Sequence, residues 1–324
     1  MPTRSILDRL AAGELLLMDG GTGAELQRRG VNVDEGASTE PRPYTSSKGV
    51  KTAETLGVWS ATANVEAPDV VEQIHQDYLR LGADIITSNN FYTSRAMMAI
   101  IGEEERWEEY TRLGGEIAVR AREAVNPEAY VAGGFAPPYD GDLREEFEGQ
   151  ARVLASAGVD VMLPEYVAGS SVHETPLADC VNAIEVCAKT GLPVFLGISN
   201  LREDGQLHTG GSLEELISGL RGHPVDAVLL MCSTPRAISA CLPKLKAAFD
   251  GPIGAYANIG YGDNPSFGTS PDESIYRIDT GEYTPARYAE VAREWKEMGA
   301  QIIGGCCASG PEHIEAIAPV VKGP

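Results

Sequence analysis

The chain has 324 residues, 43% of them hydrophobic and 23% charged, an ordinary globular mixture long enough to bury a core without covalent staples. Lysine and arginine together number 26 against 47 aspartates and glutamates, a formal net charge of −21. That acidity argues against a nucleic-acid or anionic-membrane surface, because each needs a basic footprint. No apolar run approaches the ~18 residues of a membrane span. Residues 1–10 are polar and charged and lack the apolar stretch of a secretory signal, so the expected location is the cytoplasm. Six cysteines in a chain this long do not make a disulfide framework; clustered in a reducing compartment, they point to metal binding or catalysis.

Short apolar runs recur along the chain, at residues 15–18, 83–87, 130–134, 159–163, 193–198, 227–231, 252–257 and 301–303. Each ends in a polar or glycine-rich turn, and helical patterns lie between them. Val70, Val71, Ile74, Tyr78 and Leu81 recur at helical spacing, with Pro68-Asp69 as a start signal and Gly82 as a stop. Residues 213–220 repeat the arrangement, with Ser212 as the expected N-cap. Near-continuous apolar strands alternating with helices read as buried parallel strands. Eight such units predict a (β/α)8 barrel in a single domain over residues 1–324, with functional groups at the C-terminal ends of the strands. An open doubly wound sheet is the alternative. It would want a Gly-x-Gly-x-x-Gly turn after the first strand, where this chain has Asp19-Gly20-Gly21-Thr22-Gly23. Residues 32–57, rich in proline, serine and glycine, break the rhythm and read as a long loop near the active face, either a lid or a surface excursion.

Adjacent Cys306 and Cys307, preceded by Gly304-Gly305, end the last strand, and Cys232 ends another two strands earlier. In a barrel those two ends lie close enough to converge. Three thiolates and one open position describe a catalytic zinc site. The other reading is two buried cysteines and an unrelated third. Cys180, Cys187 and Cys241 fall in helical stretches and read as small apolar core residues. Asp19 and Glu165 each end a strand and could accept hydrogen bonds from a ligand amine. Thr22 followed by Glu25 reads as a capping box for a helix from Ala24 onward. Trp59, Phe91, Tyr92 and Tyr166 fall at the same rim, where aromatic faces would attract an onium cation; ordinary core packing explains any single one as well. The five histidines form no paired-ligand pattern, and there is neither a nucleophile elbow nor a phosphate loop.

Asp19-Gly20-Gly21-Thr22-Gly23, Trp59-Ser60-Ala61, the run from Gly82 to Thr87, and Gly304-Gly305-Cys306-Cys307 followed by Pro311-Glu312-His313-Ile314 resemble the homocysteine S-methyltransferase family. The resemblance runs from about residue 15 to 317. It implies a barrel in which Cys232, Cys306 and Cys307 hold zinc, and an amino-acid thiol bound near Asp19, Gly20, Gly21 and Glu165. It also implies a cationic methyl donor, with Trp59, Phe91, Tyr92 and Tyr166 looking more like the betaine-using branch. The partners implied are thus two small molecules, with no nucleic acid and no membrane; assembly with further copies of the chain is left open. The chain departs from the family pattern at Met231, where asparagine is usual, and at Ala308-Ser309, where Arg-Thr is usual. The segment Tyr256-Ala257-Asn258-Ile259-Gly260 departs as well. These departures spare the cysteines and bear on the acceptor. Competing readings are a methyltransferase for another small thiol, a regulatory barrel that binds metal without catalysis, and a barrel lyase or aldolase. The last would want a lysine at a strand end, whereas Lys244 and Lys246 fall in a helical stretch.

Overall fold

The computed structural model describes residues 2–46, 49–55, 57–169, 173–260 and 281–323, with backbone alone over 38–46 and 49–55. Eight parallel strands form the frame: β1 (Leu16–Leu17), β4 (Ile85–Thr87), β5 (Tyr130–Phe135), β6 (Val161–Pro164), β7 (Phe195–Ile198), β8 (Ala227–Met231), β9 (Ile253–Ala257) and β10 (Ile302–Gly305). Hydrogen-bonded neighbours run β4-β5-β6 and β7-β8-β9-β10-β1. Parallel bridges from Met18 to Ile85 and from Met162 to Val194 join the two runs into a ring. At the first seam the Asp84 amide donates to the Leu17 carbonyl at 2.7 Å and the Asp19 amide to Ile85 at 3.0 Å. The expected (β/α)8 barrel is therefore the observed fold, and each expected strand is present with its ends within two residues of those expected.

The two-residue period of the strands sorts their side chains into two cores. Leu16, Met18, Ile85, Ala132, Val161, Leu163, Phe195, Leu229 and Ile302 fill the inside of the ring. Leu17, Ile86, Val131, Met162, Leu196, Val228 and Ile303 point outward against the helices. That layer is carried by α4 (Pro68–Arg80), α6 (Trp107–Val125), α7 (Leu143–Ala157), α8 (Pro176–Ala188), α9 (Leu213–Gly219), α10 (Pro235–Ala248), α11 (Pro285–Glu297) and α12 (Pro311–Lys322). Proline opens five of these, where its fixed φ suits the first turn and its missing N–H costs nothing. Ser212 caps α9 in a capping box with Glu215, as the spacing predicts. A short helix, α1 (Ile6–Ala11), has no counterpart in the expected pattern; Ile6 and Leu10 join the inner core, and Gln301 donates to the Leu10 carbonyl at 2.9 Å.

Two expectations are corrected. Helix α2 (Thr22–Arg28) begins with Thr22 already inside its first turn. Gly21, extended at φ −74° and ψ 100°, is the cap and has no side chain to offer, so no capping box forms. Glu25 instead pairs with Arg28 and Arg29. Residues 32–57 are not loop throughout. They contain an antiparallel ribbon, β2 (Ser38–Ser46) against β3 (Gly49–Thr55), with a register irregularity between Ser38 and Arg42. Pro41 and Pro43 hide it from a pattern reading, since a proline cannot donate to a ladder and is tolerated only on such an edge. The ribbon's base is pinned by the Val58 amide on Glu35 and the Ser60 amide on Val33, each at 3.0 Å.

Candidate active site

The C-terminal ends of the strands surround a cleft with about 940 Å3 of empty space, its open mouth included. Asp19, Gly20, Gly21, Trp59, Phe91, Tyr92, Glu165, Tyr166, Cys232, Cys306 and Cys307 all line it, so the structure brings every site residue expected from sequence into one place.

The cysteines come from β8 and β10, with β9 between them. Their three sulfurs lie within 4.8 Å of one another. Cys232 Sγ is 3.7 Å from Cys307 Sγ, and Cys306 Sγ is 4.0 Å from Cys307 Sγ. Three thiolates at 2.3 Å from one tetrahedral ion would sit about 3.8 Å apart, so the spacing fits a soft metal without rearrangement. Hydrogen bonds from Cys232 and Cys306 hold the Cys307 thiol well below its ordinary value, while the protons it shares leave Cys306 raised. Asn258, just past β9, directs Nδ2 at Cys232 Sγ from 3.7 Å. The backbone turn that aims these sulfurs is strained: Cys232 sits at φ +41° and Ala308 at φ +64°, where side chains are disfavoured. Gly21 allows the approach on the other side, because a Cβ there would fall on the Cys306 carbonyl. Cys180, Cys187 and Cys241 are wholly buried in α8 and α10, away from this cluster.

Two carboxyl groups face the same cleft. Asp19, 2% exposed at the end of β1, accepts from the Thr87 amide at 2.7 Å and the Thr87 hydroxyl at 3.2 Å. Burial nevertheless drives its carboxyl well above the usual range, and the charge of Glu165 adds to that. Glu165 ends β6 and accepts from the Tyr256 hydroxyl at 2.9 Å. Burial pushes it up to about 7, with Cys307 contributing in the same direction. Gly134 on the neighbouring strand leaves the space this carboxylate occupies: a Cβ there would lie 2.6 Å from Glu165 Oε2. Burial raises both carboxyls, and an ammonium group between them would favour their charged forms.

The aromatic residues form a connected wall. Phe91 meets Tyr92 at 4.6 Å between ring centroids and Tyr166 at 5.9 Å, both edge to face. Trp59, between Val58 and Ser60 at the ribbon's base, also lines the cleft.

A family model described as homocysteine S-methyltransferase matches residues 16–321. The chain belongs to the homocysteine S-methyltransferase family. Homocysteine S-methyltransferase of Escherichia coli (strain K12) is 26% identical over 340 residues, covering 98% of this chain and 97% of that one. Betaine–homocysteine S-methyltransferase 1 of Danio rerio is 29% identical over 338 residues, covering 97% of this chain and 75% of that one. The crystal structure of the homocysteine methyltransferase MmuM from Escherichia coli, metallated form, shares the fold at a TM-score of 0.70, with 22% identity over 96% of this chain and 98% of that one.

Where this member of the homocysteine S-methyltransferase family departs from the usual residues, the structure shows what each replacement does. Met231 takes the Tyr166 amide on its sulfur at 3.0 Å, so the thioether holds the turn after β6. Ser309 closes the turn after the paired cysteines through its hydroxyl on the Cys306 carbonyl, at 2.7 Å. The Ala308 carbonyl accepts from Arg28 at 2.6 Å. Sequence reasoning missed Thr87, Tyr139, Tyr256 and Asn258. The first three line the cleft, and the last holds Cys232. Thr87 and Tyr256 carried the available signal, since each lies at the end of a predicted strand and so at the active rim. Tyr139 lies on a connecting loop and carried none. His75 and His313 are both buried; His313 accepts from the Gly310 amide at 3.2 Å and contacts the Tyr283 carbonyl at 3.0 Å. Among the described residues, no helix is long and apolar enough to cross a membrane.

Proposed function

We propose that this protein moves a methyl group from a sulfonium or quaternary ammonium donor to an amino-acid thiol, with homocysteine as acceptor and methionine as product, using zinc held by Cys232, Cys306 and Cys307. The observation that carries the reading is the convergence of three sulfurs at metal-ligand spacing with two buried carboxyls in one cleft. Zinc bound there would lower the pKa of the acceptor thiol and present it as the thiolate nucleophile at neutral pH.

The rest of the chemistry belongs to the chain. Asp19 and Glu165 bind the acceptor's ammonium group, and each is aimed by its own partner, Thr87 or Tyr256. Trp59, Phe91, Tyr92 and Tyr166 present ring faces to the donor's cationic centre and line it up with the acceptor sulfur, which turns a bimolecular encounter into a positioned one. Charge is neutralised in the reaction, as thiolate and onium become thioether and neutral leaving group, so exclusion of water by the two bound substrates would favour it.

A second acceptor class is favoured by one observation: Met231 and Ala308-Ser309 place a thioether, a methyl and an already bonded hydroxyl beside the cysteines, none of which offers a free polar partner for an amino acid. The test is methyl transfer by the zinc-loaded protein to homocysteine and to a mercapto-acid of the same length without the amino group, with a common donor. Homocysteine should be preferred at least about a hundredfold, because the analogue brings no cation to the two buried carboxyls. Equal or better use of the amino-free thiol removes homocysteine and keeps the metal chemistry. No transfer to any thiol, with metal bound, refutes the catalytic reading.

A further inference from the structure

We infer that Arg28, at the end of α2 and outside the cleft wall, is a positioning residue that holds the turn after Cys307 in its metal-binding shape and so sets the affinity for zinc. The inference rests on the reading of Cys232, Cys306 and Cys307 as a zinc site.

The turn is held in a costly conformation. The chain leaves β10, places two sulfurs in succession and then reverses at Ala308, whose φ of +64° is left-handed backbone that disfavours a Cβ. The methyl of Ala308 forms no hydrogen bond that could offset the cost. The holds come from neighbours. The Ser309 amide donates to the Cys306 carbonyl at 3.3 Å, and the Ile259 amide to the Cys307 carbonyl at 3.1 Å. Arg28 Nη2 donates to the Ala308 carbonyl at 2.6 Å. The peptide between Ala308 and Ser309 is therefore fixed at both its N–H and its C=O.

Arg28 is itself aimed. Its Nη1 lies 3.3 Å from Glu25 Oε2 on its own helix and 3.9 Å from Glu312 Oε1 in the first turn of α12, which leaves Nη2 for the carbonyl. The planar fork of arginine serves both contacts at once. Gly310 provides the room, because a Cβ there would fall 2.2 Å from Nη1. Its φ of −115° and ψ of −174° are open to any residue, so the missing side chain matters for space and not for backbone shape. At the other end of α2 the Gly21 amide donates to the Ser309 carbonyl at 3.0 Å. The helix thus grips the turn from both of its ends.

The experiment withdraws zinc from the loaded protein with a chromophoric chelator and follows cobalt(II) substitution by its sulfur-to-metal absorption band. Thermal unfolding in excess chelator is measured beside it. Arg28→Met should weaken zinc about 10- to 100-fold, as for other residues that orient metal ligands, and lower the cobalt band at equal metal. Ala308→Gly alone should stay within about threefold of wild type, since the turn is already held; in the Arg28→Met background it should regain about fivefold or more, because glycine adopts the left-handed turn without penalty. Gly310→Ala, which keeps Arg28 but pushes its guanidinium aside, should weaken zinc about threefold or more and be rescued by the same Ala308→Gly change; it carries the test if Arg28→Met does not fold. Unchanged zinc affinity in both Arg28→Met and Gly310→Ala, with or without a loss of stability in chelator, overturns the inference. So does weakening that Ala308→Gly fails to relieve. Either result leaves the zinc site standing. A wild type that binds cobalt without the sulfur band, or zinc no more tightly than Cys232→Ala, refutes the zinc reading, and the inference falls with it.

Discussion

Replacing Glu165 by glutamine should stabilise the protein at alkaline pH while weakening its hold on the acceptor. The carboxyl is raised from 4.5 to about 7, chiefly by burial. The native state therefore holds the proton more tightly than the unfolded chain does. The stability this confers is full below about pH 4.5 and is lost as the pH rises through about 7, because burying the charged form costs free energy. A shift of that size corresponds to about 3 kcal/mol between the two limits. Glutamine keeps the shape and can still accept from the Tyr256 hydroxyl, but it never ionises. The part of the stability difference between Glu165→Gln and wild type that depends on pH should thus be about 1 kcal/mol at pH 5 and about 3 kcal/mol in favour of the variant at pH 8.5. Urea unfolding at those two pH values, on matched metal-loaded samples, reads the difference, with Asp19, which feels the charge of Glu165, contributing in the same direction and the distant carboxyls cancelling. The same variant loses a charged partner for the acceptor ammonium, worth about 1.5–3 kcal/mol, so the acceptor KM should rise about 10- to 100-fold. A stability difference that is the same at both pH values refutes the account of Glu165 as a buried acid.

Cys232→Ala should bind less than a tenth of the wild-type zinc, about tenfold lower at least, and lose methyl transfer while its far-ultraviolet circular dichroism is unchanged; metal analysis and an activity assay check both. Trp59→Leu should raise the donor KM about 5- to 30-fold and leave the acceptor KM within about twofold, since a desolvated cation–π contact is worth about 1–2 kcal/mol; a parallel rise in both points to damage of the whole cleft. Gly21→Ala should displace the Cys306 carbonyl and reduce zinc affinity, read by competition with a chelator, because the new Cβ meets backbone that has no rotamer to yield.

The barrel was legible because its strands are apolar on both faces and each is closed by a turn. Leu16 and Leu17 serve different cores, yet both must be apolar, so the run is conspicuous even where only two residues form ladder. The cysteines were legible because sulfur at a strand end is rare and chemically explicit. The hidden parts share a different origin. Tyr139 reaches the cleft through the path of a loop, which periodicity does not encode. Asn258 acts by its distance to Cys232, which only the ring's closure fixes. The start of α2 depended on one backbone dihedral pair at Gly21, and the Thr22…Glu25 spacing suggested a cap that the geometry places one residue earlier.

The wall of rings from Tyr166 to Tyr139 also bears on how a turnover ends. In the proposed reaction the donor arrives as a cation and leaves with its positive charge gone along with the methyl. The ring faces that drew it in have little hold on the neutral remainder, which has almost the same shape. The acceptor undergoes the matching change, from a thiolate to a thioether of weaker ligand strength. With a sulfonium donor each product is thus evicted by the chemistry that made it, and the thioether left behind should be a poor inhibitor; the tertiary amine left by a quaternary ammonium donor takes up a proton in water and should inhibit as a cation.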